Sequence, residues 1–150
     1  MANSWEEIFN DYRNMSESEL LDVACTECTW AMDYLTRITD YNKAKDYLFS
    51  FMITFSIADD GIPNYDEYLF IGKVWKRLFN EQFNYNTFSY HAWQASNKGL
   101  EQSTLALFRE HFRRDVDFNT AVSNLGLAIV AVDGDLSKTE KKLAVYIQNC

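Results

Sequence analysis

The chain has 150 residues, of which 47% are hydrophobic and 16% aromatic, and it carries a formal net charge of −8. This length and composition are typical of one globular domain and exclude a disordered chain, and the negative charge opposes binding to nucleic-acid phosphates. No apolar run is long enough to cross a bilayer and no basic-then-apolar leader begins the chain, so we expect a cytoplasmic protein without membrane insertion.

Helix-start signals recur along the chain, and no segment alternates apolar and polar residues as a strand would. Ser4 and Ser16 each stand three residues before a glutamate, which is the pattern of a capping box at the start of a helix. Behind Ser16, apolar residues recur at three- and four-residue steps as far as about Ile38, which predicts a long amphipathic helix. Its expected inward positions are Leu20, Leu21, Ala24, Cys28, Ala31, Met32 and Leu35.

Further helices are predicted after the second one. The third has an apolar second half and the seventh consists of small apolar residues, so both are expected in the core. Asn64 and Ser137 are the expected cap residues of the fourth and the last helix. The sequence therefore predicts an all-α single domain of seven to eight helices over residues 1–150. The third, fifth, sixth and seventh helices are expected over about 43–58, 87–97, 101–114 and 118–132, with Leu69, Phe70, Val74 and Leu78 inward in the fourth.

One motif occurs twice, and its two copies are 73 residues apart (60 to 133 and 67 to 140). Each copy follows an apolar run, turns at an Asp-Gly pair and leads into the start of a new helix. Asp60 and Glu67 of the first copy correspond to Asp133 and Glu140 of the second. The repeat predicts an internally pseudo-symmetric fold with two acidic corners, one at each Asp-Gly turn.

The aspartates of these corners end the preceding helices, where the helix dipole disfavours negative charge. Compensation is therefore expected from an Asx-turn hydrogen bond, a basic side chain or a hard cation such as calcium. The spacing is not that of an EF-hand, because Lys138 and Ala144 stand where that loop needs glycine and glutamate. Acidic caps and turns without an ion are the alternative interpretation. The candidate metal ligands are Asp59, Asp60, Glu67, Asp133, Asp135 and Glu140.

The pattern Ala-x-Asp-Gly-x-Leu-Ser-x-x-Glu at residues 131–140 resembles the signature of TerB-like domains. These are the tellurite-resistance TerB proteins and a related region of membrane-anchored DnaJ-like co-chaperones. The resemblance covers about residues 47–147. It implies an all-helical fold in which two acidic junctions face one another, a metal site at the acidic cluster, and a role in stress responses and protein assemblies near the membrane. The first corner departs from the pattern, since Ile62, Pro63 and Asn64 replace its acidic-Leu-Ser run.

Cys25 and Cys28 form a CxxC pair, which in other settings is redox-active or half of a zinc site. Here the pair lies within a helical pattern and no second pair accompanies it. We therefore expect two ordinary helix cysteines. The odd total of three cysteines argues against a disulfide framework.

The only basic cluster spans residues 109–114, at a predicted helix C-terminus where cations complement the dipole. It is interpreted as a solvated helix end, as a docking patch for an acidic partner, or as an internal partner of the acidic corners. No nucleophile or orienting carboxylate is placed beside His111 by the sequence, so a catalytic role is not expected. Aromatic residues crowd the region between the repeat halves, where core or loop packing is expected for most of them and a partner surface is the alternative. They are Phe79, Phe83, Tyr85, Phe88, Tyr90 and Trp93.

These observations predict a non-catalytic acidic interaction or scaffold module with a protein partner, without nucleic acid, and with calcium or magnesium as the cation that the corners would bind. The setting of a bacterial stress response is implied by the resemblance to TerB-like domains. An inhibitor or immunity protein that blocks a basic target is one alternative. A metal-dependent hydrolase using the paired carboxylates is another, which is disfavoured because no histidine lies near either corner in the sequence.

Overall fold

A computed structural model describes residues 5–56, 65–98 and 104–133 of the chain. These ranges contain seven α-helices, one short 3-10 helix and no β-strand, which confirms the predicted all-α class. None of the described helices is both long and apolar enough to span a membrane. The predicted last helix, with its cap at Ser137, lies outside the described residues. The helices are α1 (Trp5–Arg13), α2 (Glu17–Ile38), α3 (Tyr41–Ser56), α4 (Tyr65–Phe79), α5 (Tyr85–Lys98), α6 (Thr104–Arg114) and α7 (Val116–Val130), and the 3-10 helix spans Ala131–Asp133.

Side-chain caps begin four of the helices. The backbone N–H of Glu19 donates to Ser16 Oγ and the backbone N–H of Ser16 donates to Glu19 Oε1, both at 3.2 Å, so the capping box predicted for α2 is confirmed. Oδ1 atoms of Asp40, Asn84 and Asp115 accept from backbone N–H groups three residues further on, at 2.9, 2.8 and 2.8 Å. These bonds satisfy donors that a helix N-terminus leaves without an intrahelical partner, and they fix where α3, α5 and α7 start.

Helix α7 is the centre of the core. It packs against α1, α2, α3, α4 and α6, most extensively against α2. From Phe118 onward, its apolar side chains are buried around the whole circumference, as expected for a helix enclosed by others. The burial predicted for the seventh helix is therefore confirmed. Its side chains with at most 2% exposure are Phe118, Ala121, Val122, Leu125, Leu127, Ala128, Ile129 and Val130.

Helix α4 buries one face and exposes a leucine that was expected inside. Phe70 and Val74 are buried as predicted. Leu69 is 43% exposed, so its inward prediction is wrong. The reason is geometric, because at about 100° per residue Leu69 points about 200° away from Glu67, which lies at the middle of the buried face. That face comprises Glu67, Phe70, Ile71, Val74 and Trp75, and Leu78 beyond it is partly buried.

Candidate functional site

Two elements that carry the repeated motif meet in the fold. Helix α4 packs against the 3-10 helix that follows α7. Phe70 lines the same cavity as Ala131 and Val132, so the first half of α4 is at this contact. We call the first turn of α4 with Glu67, together with the 3-10 helix that ends at Asp133, the acidic junction. One carboxylate-bearing element from each copy of the motif therefore contributes to the junction.

Glu67 is buried at the acidic junction, with 2% of its surface exposed. It lies in the first turn of α4, where the helix dipole stabilises a carboxylate. Asp66 beside it lies in the same turn but is exposed to solvent. Removing a carboxylate from water costs several kcal/mol unless hydrogen bonds or a cation compensate. Glu67 thus differs from an ordinary solvated cap residue, since its charge interacts with its neighbours at low dielectric.

A cavity of about 340 Å³ opens beside the acidic junction. Phe70, Ala131 and Val132 form part of its wall, and the exposed side chains of Arg13 and Glu17 also line it. Phe70 is one helical turn from Glu67, so the cavity and the buried carboxylate lie on the same half of α4. Its volume is at the lower end of the range for small-molecule pockets, about 300–1,000 Å³.

The predicted ligand set is only partly within the described residues. Glu67 is buried, and Asp133 ends the 3-10 helix that packs on α4. In the described part of the chain, no group of three or more histidine, cysteine, aspartate or glutamate side chains is arranged to hold a metal ion. The other predicted ligands, Asp59, Asp60, Asp135 and Glu140, lie outside the described residues.

The two cysteines of the CxxC pair lie in α2 and both are buried free thiols. Cys28 has no exposed surface, and burial raises its pKa well above the usual range for a thiol. Burial also raises the pKa of Cys25, although Arg77 beside it lowers the pKa in part. Thiolates are the nucleophilic and metal-binding form of cysteine, so this environment opposes redox or zinc chemistry.

The basic cluster is at the end of α6, as predicted, and its charged groups make local contacts. Arg114 Nη2 lies 3.3 Å from Glu110 Oε2, one helical turn earlier in α6. His111 Nδ1 shares a hydrogen bond of 2.8 Å with the hydroxyl of Tyr34 in α2. Phe112 is buried in the core. The contact of His111 with Tyr34 joins α6 to α2 and was not predicted, because the two residues are far apart in the sequence.

A polar contact between α2 and α7 was also missed by the sequence analysis. Asn124 Nδ2 donates to Glu27 Oε1 at 3.4 Å. Burial raises the pKa of Glu27, and the hydrogen bond from Asn124 lowers it in part. Tyr12 of α1 lies close to Glu27. Its pKa is raised mainly by burial and to a smaller extent by the Glu27 carboxylate. No sequence motif predicts that Tyr12, Glu27 and Asn124 come together, since they belong to three different helices.

The aromatic residues between the repeat halves divide into three groups by burial. Phe88 is fully buried, which agrees with core packing. Tyr90 and Trp93 are 57% and 63% exposed, so these two lie outside the core on the solvent side of α5. The remaining members, Phe79, Phe83 and Tyr85, are partly buried.

Comparison with protein-family models, with characterised proteins and with solved structures found no match.

Proposed function

We propose that this protein is a non-catalytic acidic interaction module that binds a basic partner protein and is tuned by a divalent cation at the acidic junction. In this proposal the junction is the meeting point of two pseudo-symmetric halves, as in the TerB-like domains that the sequence resembles. The setting of a bacterial stress response comes from that resemblance alone.

The observation that carries the proposal is the burial of Glu67. A carboxylate with 2% exposure, on a helix that packs against the element ending at Asp133, supports a ligand role over a solvated cap. Oxygen ligands from such a site suit calcium, which accepts six to eight of them in flexible geometry. Asp60 and Asp133, which the sequence pairs across the repeat, are the proposed additional ligands.

A basic partner is proposed because of the charge of the chain. At a net charge of −8, the surface attracts positively charged proteins and accelerates their association. Acidic side chains are exposed on α1, where Glu6, Glu7 and Asp11 accompany a single basic residue, Arg13. A bound cation would alter this field locally and couple partner binding to the junction.

The test compares two variants with the same change in charge. Glu67→Gln neutralises the buried carboxylate and Asp66→Asn neutralises its exposed neighbour. Both proteins and the parent are immobilised, after far-UV circular dichroism shows that they are folded, and are used to capture partners from the native host. We expect the parent and Asp66→Asn to retain a basic protein in calcium, to release it at high salt, and to retain less in a chelator.

Glu67→Gln should retain little of that protein in either condition. Retention that is equal in all three proteins and insensitive to salt would contradict the proposal. A captured toxic enzyme whose activity the protein blocks would instead support the inhibitor or immunity alternative.

A further inference from the structure

A second cavity, of about 500 Å³, lies between α3, α4 and α5. Phe49 of α3 lies at the centre of its wall and contacts three other rings. The ring centroid of Phe49 is 4.9 Å from that of Phe83, 5.1 Å from that of Trp75 and 5.4 Å from that of His91. We call this space, lined in part by these four rings, the aromatic cavity. Trp75 is eight residues from Glu67, or about 12 Å along α4, so the aromatic cavity is separate from the acidic junction.

The described residues that line the aromatic cavity include two carboxylates and one ammonium group. Asp46 and Glu81 contribute the carboxylates and Lys45 contributes the ammonium. Lys45 Nζ lies 2.5 Å from Glu81 Oε1, so these two side chains form an ion pair. Among the described side chains, no basic group is within ion-pair distance of Asp46. Asp46 is therefore a lining carboxylate without an ion pair among the described residues.

Lys45 is a cation stabilised by a carboxylate and aromatic rings at the edge of the cavity. Its side chain is only 18% exposed. Besides the ion pair with Glu81, its Nζ lies 5.4 Å from the ring centroid of Phe79 and 5.9 Å from that of Tyr41. Aromatic faces attract cations at such distances through their quadrupole. Phe79 and Tyr41 are not among the residues that line the cavity, so these two rings and Glu81 stabilise the ammonium group at the edge of the aromatic cavity and not within it.

We propose that the aromatic cavity binds an organic cation, a guanidinium or alkylammonium group, with Asp46 as its counter-charge and the rings of Phe49 and Phe83 as its apolar contacts. Both rings are partly exposed, so their surfaces are available to a ligand. A guanidinium fits this combination well, because it is weakly hydrated, stacks on rings and donates in a planar fork to a carboxylate. The group could belong to a free small molecule or to a side chain of a protein. The inference does not depend on the function proposed for the acidic junction.

The first experiment titrates the folded protein with N-acetyl-arginine amide and, separately, with the N-acetyl amide of citrulline, which has the same shape and no charge. Binding is followed by the NMR shifts of the Phe49 and Phe83 rings. We expect the arginine compound to shift these signals saturably and the citrulline compound to bind much more weakly. A basic peptide containing the same arginine is the second arm. If the peptide binds more tightly than N-acetyl-arginine amide, its flanking residues add affinity and the ligand is indicated to be a protein side chain. If the peptide and the amide bind equally, a free small molecule is indicated. Equal binding of the two amides would overturn the proposal.

Three variants then identify the site. Asp46→Asn should weaken binding of the arginine compound about two- to fivefold, as expected for an ion pair open to solvent. Asp117→Asn, which removes an exposed carboxylate on α7, is the matched control and should leave the affinity unchanged. Lys45→Met keeps the aliphatic stem and should strengthen binding, because Glu81 then becomes available.

An anion site would behave in the opposite way. Inorganic phosphate would bind in place of the arginine compound, Asp46→Asn would strengthen its binding and Lys45→Met would abolish it. That pattern, or an arginine affinity that Asp46→Asn leaves unchanged, would refute the cation site.

Discussion

Glu27 and Glu67 are carboxylates that are buried to different degrees. The stability of the charged form depends on different neighbours in the two cases. Glu67 is almost fully buried in the first turn of α4, where the helix dipole favours its charge. Glu27 is partly buried in the middle of α2 and accepts a hydrogen bond from Asn124. Burial raises the pKa of Glu27 because the charged form loses hydration.

The raised pKa of Glu27 predicts a pH-dependent stability difference. Since the folded protein binds the proton more readily than the unfolded chain, this residue makes stability fall as pH rises through the window above the ordinary glutamate pKa, about 4.3. Glu27→Gln cannot titrate. Its free energy of unfolding, relative to that of the parent, should therefore increase from about pH 4 to about pH 7 in urea denaturation. A relative stability that is constant or decreases over this range would show that burial does not dominate at Glu27.

Helix α7 packs against five other helices and buries most of its apolar side chains, so substitutions in it should affect stability strongly. Leu125 has no exposed surface, whereas Val116 at the start of the same helix is 76% exposed. Leu125→Ala should destabilise the protein by about 2–5 kcal/mol, through lost burial and the cavity left behind. Val116→Ala should change the stability by less than about 0.5 kcal/mol. Urea denaturation measures both. Similar losses in the two variants would mean that α7 is not the centre of the core.

Local sequence patterns predicted the helices well, but they predicted the contacts between the helices less well. The box of Ser16 and Glu19 and the spacing behind it are short-range signals, so the start and end of α2 could be predicted from the sequence. The side of α4 that faces the core depends on where its neighbours lie, and Leu69 was assigned to the wrong side for that reason. The burial of Glu67 depends on the same packing, so its type and position were predicted but its environment was not.

The remaining features required the three-dimensional arrangement. Phe49 meets Trp75, Phe83 and His91 only because α3, α4 and α5 come together. Phe83 belongs to the aromatic region that the sequence singled out, but no spacing rule relates it to Phe49, which is distant along the chain, so the aromatic cavity could not be predicted. The contact between Tyr34 and His111 was missed for the same reason.

At the scale of the whole molecule, two candidate binding regions are separated along α4. The acidic junction is at its N-terminal end, and the aromatic cavity is near its C-terminal end. A chain with a net charge of −8 favours cations at both. In our account, an inorganic cation binds at the junction through oxygen ligands and an organic cation binds in the aromatic cavity. The two can be tested independently, because the substitutions that affect them do not overlap.

The central claim is that the acidic junction binds a divalent cation, and calcium titration with a thermal melt at each concentration tests it most directly. Melting temperature should rise with the ratio of free ion to Kd, reaching a stabilisation of about 2.7 kcal/mol at a hundredfold excess over Kd. The rise should persist in Asp66→Asn and disappear in both Glu67→Gln and the double variant Asp60→Asn/Asp133→Asn. The claim would be contradicted if calcium and magnesium left the melting temperature unchanged and the double variant were as stable as the parent or more so.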